Sequence, residues 1–221
     1  VSLTGSERAG QAVGAQAGKN IKPVVLELGG SDPSIVLPDA DLDLTVKAAS
    51  RSRLLNNGQS CVGSKRFIVM EDIYDEFLEK LVAEFKTYIP EDPMLDETKI
   101  GPVVSQQALD EVMSQIKRAT DAGATVMLGG AQIDRPGSFL EPTILTNITP
   151  DVPTYYEEIF GPVASVIKVK DVSEAVEVAN ATNFGLGASI YTSNMDTAAS
   201  LIPQIEAGSV FVNSMVKSDP R

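Results

Sequence analysis

The chain has no histidine. Within these 221 residues that excludes Ser-His-Asp and Cys-His machinery, and with them the usual histidine-containing zinc sites. Cysteine is scarce as well, with Cys61 standing alone. No internal disulfide can form, and a reducing, cytoplasmic compartment is the expectation. No apolar run approaches the roughly 18 residues of a membrane span, so a membrane is not an expected partner. The opening stretch, Val1 to Gly10, has no initiator Met, no basic n-region and no apolar h-region. It does not read as a secretory signal, and the chain reads as though cut from something longer. Basic residues number 18 against 30 acidic ones, for a net charge of −12. A surface this acidic repels phosphate backbones, so nucleic acid is not an expected partner, and its ordinary use is solubility. Acid–base chemistry within the chain must come from carboxylates, lysine, tyrosine or cysteine.

What is present is a globular composition, 43% apolar, enough for one good core or one and a half domains. Val1 to Leu3 reads as a strand end, and Ser6 as the cap of a helix from Glu7 to about Lys19. An apolar strand follows at Val24–Leu28, closed by Gly29-Gly30, and a second at Ser34–Leu37. Asp39 and Asp41 are expected to cap a helix running to about Leu55. The segment 56–63 interrupts before a strand at Arg66–Met70. A helix is expected over Ile73–Tyr88, a loop over Pro90–Gly101, and a Ser105-capped helix to Asp121. Ala124–Leu128 reads as a strand, Phe139–Thr146 as irregular or extended, and Pro150–Pro153 as a turn. Strands at 163–169, 188–191 and 209–212 alternate with helices at 172–181 and 195–205. Such alternation predicts an α/β fold with a mostly parallel sheet and helices on both faces. A seam is expected near Gly29–Ser31.

Two residues draw attention on chemical grounds. A lone cysteine is commonly a buried structural residue. Cys61, however, sits in Asn56-Asn57-Gly58-Gln59-Ser60-Cys61-Val62-Gly63, where small and polar neighbours suit a thiolate that a carbonyl must approach. Glu27 interrupts the apolar run 24–28. It lies either on an exposed strand face or at a strand end facing a cleft, beside a glycine turn of the kind where α/β proteins place ligands.

Five segments then fall in one order. Leu26-Glu27-Leu28-Gly29-Gly30-Ser31-Asp32-Pro33 resembles the glutamate signature of the aldehyde dehydrogenase superfamily, and Asn57-Gly58-Gln59-Ser60-Cys61 resembles its cysteine signature. Glu157 to Val163, Asn183-Phe184-Gly185-Leu186 and Gly208 to Asn213 are similar to further family segments, and the similarity spans essentially the whole chain. The resemblance implies the fold of that family's catalytic domain over 29–221, with 1–28 a remnant of a dinucleotide-binding domain. A C-terminal oligomerisation segment would be absent, and the full-length enzyme would be a homo-oligomer. It implies oxidation of a small aldehyde with NAD or NADP as cofactor. Cys61 would form a thiohemiacetal and then a thioester, with its backbone N–H as an oxyanion donor, and Glu27 would activate the hydrolytic water. Gly5 and Ser6, at a helix N-terminus, would meet the pyrophosphate. Leu28, Glu158 and Phe160 would also contact the cofactor, and Gln59, Ser60 and Ser218 the substrate. No metal is implied. Glu27 favours a free-acid product over acyl transfer to coenzyme A.

The regions 56–70 and 213–221 are similar to bacterial succinate-semialdehyde dehydrogenases. Many of these hold the substrate carboxylate with an arginine six residues before the cysteine, a position that is Leu55 here. Arg51 and Arg53 lie nearby, but helical geometry points them elsewhere. An apolar or ω-substituted aldehyde is therefore a competing substrate. By itself the 221-residue chain is expected to show little or no dehydrogenase activity. Two other readings stand beside this one. One is a non-catalytic α/β scaffold for protein association. The other is a cysteine hydrolase without a redox step, which the missing histidine disfavours.

Overall fold

Strand side chains alternate between the two faces of a sheet, and here both sets are apolar, which requires cover on both sides. The computed structural model describes residues 1–218. Residues 219–221, the end of the 213–221 segment, lie outside the described residues. Seven strands form one sheet in the order β5-β6-β7-β4-β3-β8-β9. They are β3 (Pro33–Val36), β4 (Arg66–Met70), β5 (Thr125–Leu128), β6 (Thr143–Thr146), β7 (Val163–Val169), β8 (Gly187–Tyr191) and β9 (Ser209–Val212). The β5–β6 pair is antiparallel and the others are parallel. The helices are α2 (Leu42–Leu54), α3 (Tyr74–Phe85), α4 (Gln106–Asp121), α5 (Val172–Asn180) and α6 (Met195–Leu201).

One strand face carries Ile35, Ile68, Met70, Val163 and Ile167, packed with Leu109, Val112 and Ile116 of α4 and with residues of α5 and α6. The other carries Val36, Phe67, Val69 and Val166, packed with Val46 and Ala49 of α2 and with Phe77, Leu81 and Phe85 of α3. The spacing of Phe77, Leu81 and Phe85 sets three rings and chains on one helix face, and each is fully buried. Burial of such a side chain contributes roughly 1.5–3 kcal/mol. The expected α/β architecture, mostly parallel with helices on both faces, is the one observed.

A second, two-stranded parallel sheet comprises β1 (Ser2–Thr4) and β2 (Val25–Glu27), connected by α1 (Glu7–Lys19). Ser6 caps α1 as expected, its hydroxyl accepting the Ala9 N–H at 3.3 Å. The C-terminal ends of β1 and β2 approach the N-terminal ends of the large sheet's strands. That junction is where the site lies.

Several expectations need correction. Asp41 alone caps α2, accepting the N–H groups of Asp43 and Leu44. Asp39 instead accepts from Thr192, Ser193 and Asn194, so it pins the turn after β8 rather than its own helix. The stretch Phe139–Thr146 ends in a regular strand, β6, because β5 and β7 supply partners on either side. β2 is shorter than the apolar run 24–28, and Val24 and Val25 are exposed. α3 stops at Phe85 and α6 at Leu201, the latter continuing as a 3-10 turn over Ile202–Gln204. The expected turn at 150–153 contains the start of another such turn, Pro153–Tyr155. Among the described residues no helix is long and apolar enough to cross a membrane.

Candidate active site

A cavity of about 600 Å³ opens between the two sheets. The ends of β1 and β2 contribute Thr4, Gly5, Ser6, Leu28 and Gly29. The thiol loop contributes Gln59, Ser60 and Cys61, and the loop before β7 contributes Glu158 and Phe160. Residues of α4 close the remaining wall.

The thiol loop owes its shape to local chemistry. After α2 the chain turns through three successive left-handed residues, Asn56 (φ 51°), Asn57 (φ 57°) and Gly58 (φ 75°). Asparagine tolerates this region better than most residues, and glycine best. A Cβ at Gly58 would also collide with the Gly161 backbone. Side-chain amides then hold the loop. Asn57 donates to Pro102 O at 2.9 Å, and the Gln59 carbonyl accepts the Val104 N–H at 2.9 Å. Gln59, expected at the substrate, thus lines the cavity while its amide is engaged with Val104 and Asn56. Cys61 is half-buried, neither sealed in the core nor on the open surface.

Opposite the thiol, Glu158 is fixed from three directions. Its Oε1 accepts the Gly30 N–H at 3.0 Å and pairs with Lys65 Nζ at 3.3 Å. Its carbonyl accepts from Gln115 Nε2 at 2.9 Å. The Phe160 ring is 45% exposed, so an apolar face is available at the cavity mouth.

Below the cavity lies a group of buried charges. Arg66 opens β4 with Lys65 just before it, Arg53 comes from the last turn of α2, and Asp32 precedes β3. All four are at most 2% exposed. Arg66 spends its guanidinium on three carbonyls, those of Ser31 (2.9 Å), Val178 (2.6 Å) and Ala179 (2.9 Å). Arg53 donates to Gly58 O, under the thiol loop. Burial pulls both guanidinium pKa values down to about 10. Burial also pulls Lys65 down to about 8, helped by Arg53 and opposed by Glu158 and Asp32. Asp32 moves the other way, pushed up to about 7 by burial against the pull of Lys65, the Gly187 N–H and Arg66. Desolvation disfavours the charged form in every case.

The sequence model of the aldehyde dehydrogenase family matches residues 1–221. The chain belongs to the aldehyde dehydrogenase family. It is 48% identical over 218 residues to an NADP(+) succinate-semialdehyde dehydrogenase of Deinococcus radiodurans, covering 99% of this chain and 46% of that protein. It is 51% identical over 219 residues to the corresponding Mycobacterium tuberculosis protein 1, covering 99% of this chain and 48% of that protein. A crystal structure of the Streptococcus pyogenes succinic semialdehyde dehydrogenase with NADP+ superposes with a TM-score of 0.97 at 50% identity, covering 100% of this chain and 48% of that one. The chain spans about half the length of the curated relatives it matches.

In this aldehyde dehydrogenase chain Cys61, Gln59, Ser60, Gly5, Ser6, Leu28, Glu158 and Phe160 line one cavity. Glu27 does not line it. It stands exposed at the end of β2, opposite Thr4, with its neighbour Leu28 inside. Ser218 is exposed and outside the lining. Leu55 is 47% exposed, and Arg53 is fully buried on Gly58 O, so neither offers a free cation to a substrate carboxylate. Arg51 lines a separate groove with Lys47 and Lys217. Sequence reasoning did not single out Asp32, Lys65 or Arg66, and it did not foresee the burial of Arg53. The one available signal was the Lys65-Arg66 pair set directly against the apolar run 67–70.

Proposed function

We propose that the protein carrying these residues oxidises an aldehyde to the carboxylic acid, with Cys61 as nucleophile and NADP as cofactor, NAD being the alternative. The observation that carries the proposal is the convergence of Cys61, Glu158, Phe160 and the start of α1 on one cavity. The residues present fit a nicotinamide dinucleotide. The positive end of α1 suits a pyrophosphate, a carboxylate clamped by Gly30 and Lys65 suits ribose hydroxyls, and Phe160 offers an apolar face. Gly29 leaves room for Glu158, where a Cβ would overlap Oε2. When bound, the nicotinamide accepts the hydride that makes the reaction an oxidation.

The Cys61 sulfur adds to the aldehyde carbon, forming a C–S bond and placing negative charge on the oxygen, which the Cys61 N–H is proposed to meet. The oxidised acyl group stays on sulfur as a thioester. Glu27, exposed at the end of β2 next to the cavity-lining Leu28, is assigned the proton that water gives up as its oxygen adds to the acyl carbon. The C–S bond then breaks, returning the Cys61 thiolate and releasing the acid. Succinate semialdehyde is the proposed substrate because relatives at 48% and 51% identity carry that name. Its carboxylate must be met without an arginine at position 55.

The test is NADPH formation by the natural gene product with succinate semialdehyde and with butanal. Turnover in the wild type and its loss in Cys61→Ala are expected. Glu27→Gln should retain an initial burst and lose about 100-fold or more in steady-state rate. Full turnover by Cys61→Ala would end the proposal. Equal kcat/KM for the two aldehydes would remove the carboxylate from recognition. The 221-residue chain assayed alone is expected to turn over little or no aldehyde.

A further inference from the structure

We infer that Lys65 is a positioning residue that ties the thiol loop to the Glu158 carboxylate and so fixes the width of the cavity between them. The inference rests on the reaction proposed above and deepens it. An ammonium has three donors, and Lys65 has three oxygen partners. Its Nζ donates to Ser60 O and Cys61 O, each at 2.7 Å, and pairs with Glu158 Oε1 at 3.3 Å. Two of these acceptors belong to the segment that carries the thiol. The third belongs to the loop before β7, more than ninety residues further along the chain.

The contact closes a ring. Glu158 Oε1 also accepts the Gly30 N–H, and a Cβ on Gly30 would sit 2.7 Å from the same Cys61 carbonyl that Lys65 holds. The backbone at Gly30, the carbonyl of Cys61, the ammonium and the carboxylate are therefore mutually packed, leaving little freedom for one to move alone. At 2% exposure the ammonium forgoes hydration, a loss that only close oxygen partners offset. A neutral side chain would fill the entry to β4 without that loss. What the charge adds is a fixed link between two loops whose side chains must face one substrate, where a shift of 1 Å can cost about 100-fold in rate. Arg53 from α2 and Asp32 before β3 flank the link with opposite charges.

The test is a double-mutant cycle of Lys65→Met and Glu158→Gln in the natural gene product. Lys65→Met is expected to lower kcat by about 10- to 100-fold while the aldehyde KM stays within about threefold. Its effect should be non-additive with Glu158→Gln, the double variant being no slower than the slower single one. Far-UV circular dichroism of each variant separates a loss from misfolding from a loss of alignment, and iodoacetamide labelling reads the setting of the Cys61 thiol. Lys65→Gln enters the same cycle if Lys65→Met does not fold. Alkylation needs no turnover, and its rate at Cys61 should change in both single variants. Additive losses in kcat, or an alkylation rate unchanged by Lys65→Met, would overturn the role of Lys65. Inactivity of the wild type on every aldehyde, with alkylation still sensitive to both substitutions, would overturn the proposed reaction and leave the link standing.

Discussion

Replacing Asp32 by asparagine should make the protein relatively more stable as the pH rises from 5 to 7. The carboxylate is 1% exposed. One oxygen accepts the Gly187 N–H at 3.2 Å, and among the described residues Oδ2 has no hydrogen-bond partner. Burial lifts its pKa from 3.8 to about 7. Between those values the folded protein binds the proton that the unfolded chain has released, so stability falls as pH rises through the window. Each unit of pKa difference is worth 1.36 kcal/mol, and between pH 5 and pH 7 the accumulated cost is about 2 kcal/mol. Asparagine has the same shape and does not ionise. Lys65, lowered to about 8, stays largely protonated below pH 7 in the wild type. The assay is urea unfolding of wild type and Asp32→Asn at pH 5, 6 and 7. Carboxylates with lowered pKa, Asp43 and Glu91 among them, titrate in both proteins and cancel in the difference. The variant's stability relative to wild type should rise by about 2 kcal/mol across the window. A flat or falling difference would refute a buried, reluctantly ionised Asp32.

Two further substitutions probe the same ground. Gly29→Ala drives a methyl group into Oε2 of the clamped Glu158 carboxylate, so it should cost about 1–3 kcal/mol in stability while raising the NADP KM about tenfold. An unchanged cofactor KM would show that Glu158 need not stay where it is. Arg66→Met removes the guanidinium from the carbonyls of Ser31, Val178 and Ala179, of which Val178 O keeps the Ala181 N–H, and should lower unfolding stability by about 3 kcal/mol. A urea midpoint within experimental error of wild type would refute that account of the guanidinium.

The legible parts of the fold were those with local signatures. The runs 34–37, 66–70 and 163–169 are β-branched or aromatic and bounded by turn residues, and each became a central strand. Ser6 and Ser105 announced helix starts through their own hydroxyls. β6 was legible only as irregular or extended chain, because four residues after Pro142 become a regular strand only when distant β5 and β7 flank them. The same limit hid half of the site. Cys61 and Glu158 stand in motifs that carry their chemistry locally. Lys65, Arg66 and Arg53 are charged residues at element ends, where a sequence reader expects solvent. Their burial depends on packing between segments far apart in the chain, which no local window contains.

That hidden charge also explains where the site can work. Open parallel sheets usually place ligands outside the carboxyl ends of their strands. In this chain only the small sheet does so, while β3, β4 and β7 face the cavity with their amino ends. The last turn of α2 and the entry to β4 supply three buried cations, Arg53, Lys65 and Arg66, against two carboxylates, Asp32 and Glu158. The floor of the cavity is therefore locally positive in a chain whose net charge is −12. Protonation of Asp32 near neutral pH would deepen the excess, and low-dielectric surroundings strengthen its field. A positive floor favours the oxyanion formed on the aldehyde oxygen and the departing carboxylate of the proposed reaction. The acidic exterior and the basic floor thus have separate origins, the first in solvated surface residues and the second in cations that packing has removed from water.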